Sequence, residues 1–295
     1  MISESPIIFM KQLPKKRMKY KTILIIAFLY IFLIPEYIFA SHISMVINTT
    51  VSFEKKGYIS VKLKVSNQGD EDSLVVFPML KLGNKSIQLK EVPYIAISGS
   101  NLWTHDFAID KTGLDKPGCY PLFVLITYHD ANMYPFSANQ ITKVYYQDVN
   151  PKKLLDVNLY ASEIKSTGHV DFKIKNNAAN SVSGSYQFFF PKELTAKENQ
   201  QPFSLNPKEE KIFNLNIKNE TALIGSSYNI YGIAEITDDE NHYTFISSNI
   251  TNILNSSNKT HINKIFIGGI ILILFIFLMT IIGELYRMGK QNAIK

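Results

Sequence analysis

Between residues 41 and 255 apolar and polar side chains alternate in short runs. Leu63 and Val65 fall on one parity while Lys62 and Lys64 fall on the other; Phe172 and Ile174 do the same against Lys173 and Lys175. Alternation over four to eight residues is the mark of a half-buried strand. Turn-forming groups punctuate the runs: Asn67-Gln68-Gly69-Asp70, Leu82-Gly83-Asn84, Lys116-Pro117-Gly118, Asn206-Pro207 and Asp238–Asn241. No stretch there has helical spacing. Two longer apolar runs flank this region. Thr22–Ile34 follows Lys15, Lys16, Arg17, Lys19 and Lys21, and Ile265–Gly283 carries no charge at all.

The alternating region contains the same unit twice. Val61-Lys62-Leu63-Lys64-Val65-Ser66-Asn67 matches Val170-Asp171-Phe172-Lys173-Ile174-Lys175-Asn176 at an offset of 109. Phe107-Ala108-Ile109 matches Leu215-Asn216-Ile217, and Gly118-Cys119-Tyr120 matches Ser226-Ser227-Tyr228, both at 108. A period of that size means tandem domains, not a solenoid. Short strands with such punctuation, in about a hundred residues, predict an immunoglobulin-like antiparallel sandwich. The expected fold is therefore all-β: two tandem immunoglobulin-like sandwiches, 41–150 and 151–253, plus one C-terminal transmembrane helix. A polar stalk (254–264), the span (265–283) and a cytoplasmic tail (284–295) complete the chain.

The two flanking runs predict its address. A basic segment, a short apolar core and a small residue at Ala40 are the parts of an export signal, giving a signal peptide over 1–40. An uncleaved N-terminal anchor is the alternative. The second run has the roughly 20 apolar residues that cross a bilayer. Arg287, Lys290 and Lys295 behind it suit the cytoplasmic side. The expectation is a single-pass membrane protein whose N-terminal ectodomain is extracytoplasmic and whose tail is cytoplasmic. The formal charge of +6 belongs to these flanks, since residues 41–264 sum to zero. A neutral ectodomain argues against nucleic acid, whose binding rests on neutralising phosphates.

Several motifs resemble a family. The strand ending Val65-Ser66-Asn67-Gln68-Gly69-Asp70 looks like that of CARDB-type modules, the S-layer-associated, immunoglobulin-like domains of bacterial and archaeal envelope proteins. Phe203-Ser204-Leu205-Asn206-Pro207-Lys208-Glu209-Glu210, followed by Phe213-Asn214-Leu215-Asn216-Ile217, is similar to their central turn and strand, with Lys208 where glycine is usual. Gly118-Cys119-Tyr120-Pro121-Leu122 resembles their late strand. The resemblance spans roughly 45–253 and implies an architecture more than an activity.

Candidate chemistry is sparse. The lone Cys119 excludes an intramolecular disulfide, and its counterpart Ser227 marks a half-buried strand position. His42, His105, His129, His169, His242 and His261 share no metal-ligand spacing. Asp70-Glu71-Asp72, His129-Asp130 and Asp238-Asp239-Glu240 are either solvated turns or oxygen ligands for calcium. Six Asn-x-Ser/Thr sequons begin at Asn48, Asn84, Asn219, Asn249, Asn255 and Asn258. No nucleophile elbow, zinc-protease motif or phosphate loop is present, so the reading is non-enzymatic, with no cofactor and no metal. Trp103 is either a core-edge residue or an exposed aromatic for sugar or partner contact. Tyr128, Tyr134, Pro135 and Phe136 flank the first repeat's late hairpin and are either ordinary strand residues or the candidate partner patch, since loops on a rigid sandwich commonly carry recognition. The expected partners are a protein or an envelope polysaccharide outside the cytoplasm, and the lipid bilayer through 265–283. The expected work is adhesion, scaffolding or docking; the alternatives are an accessory subunit of a membrane export or polysaccharide-assembly complex, or a carbohydrate-binding module.

Overall fold

A computed structural model describes residues 42–53, 56–147, 153–255, 268–269, 271–280, 282–283 and 286. The expected signal peptide, most of the stalk and all of the tail but Tyr286 lie outside the described residues. The described body is all-β, apart from one 3-10 turn at Ile109–Lys111.

The first half holds β1 (Met45–Ser52), β2 (Tyr58–Asn67), β3 (Ser73–Leu82), β4 (Lys85–Gln88), β5 (Val92–Ile95), β6 (Ser100–Ala108), β7 (Gly118–His129) and β8 (Pro135–Tyr146). The second holds β9 (Leu155–Ala161), β10 (Thr167–Asn176), β11 (Val182–Phe189), β12 (Leu194–Ala196), β13 (Gln200–Leu205), β14 (Glu210–Asn219), β15 (Ser227–Thr237) and β16 (His242–Asn252). Every turn group named from the sequence falls at a strand end or between strands. Lys208, at the family's glycine position, has φ +63°, the left-handed conformation that glycine adopts at no steric cost.

Each half packs one sheet on another. In the first, β1-β2-β6 faces β4-β3-β7 with β8 beside β7, and Val61, Leu63 and Val65 meet Leu80, Leu122 and Val124 in the core. In the second, β12-β14-β10-β9 faces β13-β11-β15-β16, and Val170, Phe172 and Ile174 take the corresponding places. The alternating pattern is thus met literally: apolar positions of β2 and β10 are fully buried and the intervening lysines of β2 are exposed. Asn67 and Asn176, the last residues of those strands, are equivalent as well. Each is fully buried and locks its strand end. Asn67 Nδ2 donates to the Glu71 and Ile95 carbonyls while Oδ1 accepts from Gly69. Asn176 Nδ2 donates to Asn180, Leu205 and Asn206, and Oδ1 accepts from Ala178.

The pairing register corrects one detail of the repeat. Leu63 stands opposite Trp103, and Phe172 opposite Phe213. Trp103 therefore corresponds to Phe213, two residues later than the block at 108 implies. Trp103 is 8% exposed, and its indole N–H donates to the Lys90 carbonyl at 2.7 Å. It is the core-edge residue of the two readings.

The halves lie side by side. At one end Gly118 of β7 pairs with His242 of β16 in parallel sense, so the first half's late sheet continues into the second half's. A Cβ at residue 118 would collide with the His242 carbonyl oxygen, and only glycine permits this approach. Along the junction a third apolar cluster forms from Phe123, Leu125, Ile141 and Ile233, with Met79, Phe189, Tyr231 and Ile246 packed around it. β7 is buried on both faces. Its even residues Leu122, Val124 and Ile126 enter the first core, and its odd residues Phe123 and Leu125 enter the junction.

Candidate functional site

The late hairpin of the first half, β7–β8, carries the candidate patch, and it lies against the second half. Asp130 shapes its tip: Oδ1 accepts from the backbone of Asn132 and Tyr134. Tyr128 is buried in the first core beside Phe136, with ring centroids 5.8 Å apart. Phe136 is half-buried against the same core, and Pro135 is exposed. Tyr134 is half-buried and its hydroxyl donates to the Thr221 carbonyl of the second half. The four residues therefore divide between core packing, a clamp between the halves and an exposed rim.

Just behind the clamp sits a buried carboxyl that sequence reasoning passed over. Glu193, between β11 and β12, is 2% exposed. Its Oε2 accepts from the Ser137 hydroxyl at 2.6 Å, and Ser137 Oγ in turn accepts from the Lys192 amide. Oε1 is buried without a hydrogen-bond partner among the described residues. Burial pushes the Glu193 carboxyl above its ordinary range; the Ser137 hydrogen bond opposes this. Tyr128 and Tyr228 are raised by burial first and by the nearby Glu193 charge second.

At the other end of the junction a cleft of about 430 Å³ opens, lined in part by Lys81, Lys116, Tyr120, Gln187, Glu235 and His242. His242 is tightly held there. Nε2 lies 3.1 Å from Glu235 Oε1, Nδ1 lies 2.9 Å from Thr237 Oγ1, and Tyr120 stacks on the ring at 4.2 Å. Thr244 Oγ1 is 3.5 Å from Nε2 but donates to the Cys119 carbonyl at 2.7 Å. A general base needs one ring nitrogen facing the nucleophile and the other facing its orienting carboxylate. Here Glu235 and Thr244 meet the same nitrogen, so the group orients the junction and leaves Thr244 unactivated.

The remaining candidates are placed individually. Burial raises the Cys119 thiol above its usual value, which suits an unreactive strand cysteine. Burial lowers His105, with Asp106 opposing. Asp70 accepts from the His42 amide at 2.6 Å, which holds its carboxyl low, and Asp72 accepts from the Ile97 amide. Glu71 accepts from Ala131, and Asp238 from Glu240 and Asn241. These carboxylates close turns and tie loops. Among the described residues no three His, Cys, Asp or Glu come together as metal ligands. Of the sequon asparagines, Asn219 spends both ends of its amide on Ala222, while Asn48, Asn84 and Asn255 are exposed. The signal for the junction was present in the run Leu122-Phe123-Val124-Leu125-Ile126. It is apolar on both parities, which marks a strand covered on both faces.

No family model matches the chain, and no curated protein matches it. Solved structures do. Native Escherichia coli α2-macroglobulin shares 10% identity over 72% of this chain and 17% of its own, with a TM-score of 0.29. Red sea bream transglutaminase shares 8% over 83% of this chain and 34% of its own, with a TM-score of 0.25. The YadV chaperone shares 14% over 70% of this chain and 99% of its own, with a TM-score of 0.30. The chain thus spans about a sixth and a third of the length of the first two.

Proposed function

We propose that this chain is a single-pass membrane-anchored envelope protein. It presents two immunoglobulin-like sandwiches of the CARDB type outside the cytoplasm, for non-catalytic adhesion, scaffolding or partner docking. The observation that carries the reading is the C-terminal apolar segment. Among the described residues no helix is long and apolar enough to cross a membrane. The described part, however, is helical over 271–280 and exposes Ile271, Leu272, Ile273, Leu274, Phe275 and Ile276 in succession, each by more than half. A helix apolar on every side has no stable place in water and fits a hydrocarbon core. The run 265–283 supplies the rest of the length.

The proposed contact for a protein or polysaccharide partner is the rim of the late hairpin, where Pro135 is exposed and Tyr134 and Phe136 are half-buried beside it, with Tyr128 as its buried support. The test of the anchor is alkaline extraction of membranes, followed by proteolysis from the extracytoplasmic side. The full chain is expected to stay with the lipid until detergent is added, and its β-body to be clipped away from a protected C-terminal fragment. Release of the intact chain by alkali alone would overturn the anchor.

A further inference from the structure

Both ends of the described body lie at one end of the fold. The chain enters at His42, whose amide donates to Asp70. It leaves at Asn255, just after Ile253 pairs with Ile164 and exchanges backbone hydrogen bonds with Gly225 and Ser226. The loops gathered here expose large aliphatic side chains. Leu223-Ile224-Gly225-Ser226 is a tight turn closed by Ser226 N–H on the Leu223 carbonyl, with Gly225 at φ +90°. That is the type II geometry, with glycine at the third position where φ must be positive. Ile224 is 65% exposed, the most exposed large hydrophobic of the described β-body, and Leu223 is 41% exposed. Met133, at the neighbouring hairpin tip, is 55% exposed and Ile97 is 50% exposed.

These tips form a tied set. Ile97 N–H donates to Asp72, the adjacent Glu71 accepts from Ala131, Tyr134 clamps Thr221, and Gly225 donates to Ile253. Nine residues, 256–264, separate the exit from the apolar run beginning at Ile265. Fully extended they reach about 30 Å, so an anchored body is confined close to the bilayer with this end nearest it. Such a tether raises the local concentration of the tips at the lipid surface, and weak side-chain insertion then suffices.

We propose that Leu223 and Ile224, with Met133 beside them, dip into the outer surface of the lipid bilayer and hold the ectodomain upright on it; this rests on the anchored reading above. The contact is apolar rather than electrostatic. The β2–β3 loop, tied to the hairpin tip through Glu71, carries Asp70, Glu71 and Asp72, and the tip itself carries Asp130, which disfavour anionic headgroups; Glu220, near Leu223, is paired with Lys218 at 2.9 Å.

The test uses the full chain in phosphatidylcholine vesicles, in a Cys119→Ser background, with an environment-sensitive fluorophore on Ile224→Cys, Met133→Cys or Asp239→Cys. Asp239 lies in the β15–β16 turn, at the far end of β16 from the exit. Flotation with the vesicles reports the anchor. Lipids carrying a quencher on the acyl chain report insertion. Blue-shifted emission that is quenched at 224 and 133, but not at 239, is the expected result. Flotation with all three probes equally unquenched would overturn the insertion and leave the anchor standing. Failure to float would remove both. Replacing part of the phosphatidylcholine by phosphatidylglycerol is expected to leave quenching unchanged or reduced; a strong increase would overturn the apolar mode of contact.

Discussion

Glu193 shows how one residue can tune the junction. Its buried carboxyl has a pKa above that of the unfolded chain. Between the unfolded value near 4.5 and the higher folded value, the native state keeps a proton that the unfolded state has lost. Stability therefore falls as pH rises through that window and stays reduced above it. Glu193→Gln keeps an acceptor for the Ser137 hydroxyl and cannot ionise. Chemical denaturation at pH 4.5 and pH 8 should find the variant close to wild type at the lower pH and more stable than wild type at the higher one. Parallel pH profiles for the two proteins would rule out a destabilising buried charge. Asn67 and Asn176 act differently: they satisfy backbone groups at strand ends that would otherwise be buried without partners, and they do so in both halves by the same geometry.

At the scale of the element, β7 is the piece on which the architecture turns. One face completes the first core and the other completes the junction. Its first residue must be glycine because the β16 backbone lies where a side chain would begin. Gly118→Ala should push the start of β7 away from His242 and loosen the Thr244–Cys119 hydrogen bond. Overpacking of this kind costs about 1–3 kcal/mol. A melt lowered to match, with faster amide exchange at His242 than in wild type, is the expected outcome. An unchanged melt with protected amides would mean that the approach of β7 to β16 is not a packing constraint. The β7–β8 hairpin also explains why its aromatic residues are so mixed in role: alternate side chains of one strand pair meet the core, the other half and solvent.

For the whole molecule, the junction predicts that the halves are not independent. Residues 42–147 alone would expose Phe123, Leu125 and Ile141, and residues 153–255 alone would expose Phe189 and Ile233. Each fully buried side chain of this size contributes about 1.5–3 kcal/mol. Each half has a core of its own, so separated halves should still be rich in β structure. They should melt well below the two-half body and associate when mixed. Equal melting temperatures, with no association by ultracentrifugation, would show the junction to be energetically neutral.

The sequence by itself determined the local facts. Period-two alternation over Val61–Val65 and Val170–Ile174 dictated strands and which side chains face a core, because a strand's side chains alternate strictly between its faces. Gly, Pro, Asn and Asp groups dictated where the strands stop. The repeat dictated that whatever fold formed would form twice, down to the buried Asn67 and Asn176. What only the tertiary structure decided is everything that depends on strands distant in sequence meeting in space. The two-residue offset placing Trp103 opposite Leu63 is set by pairing register, which a sequence comparison of single strands does not contain. The burial of Glu193 needed the first half to cover it, through Ser137 of β8. Tyr134 could be named as an aromatic on a hairpin, but its hydroxyl's choice of Thr221, 87 residues away, follows from docking two faces whose apolar positions had each been legible only as unassigned surface.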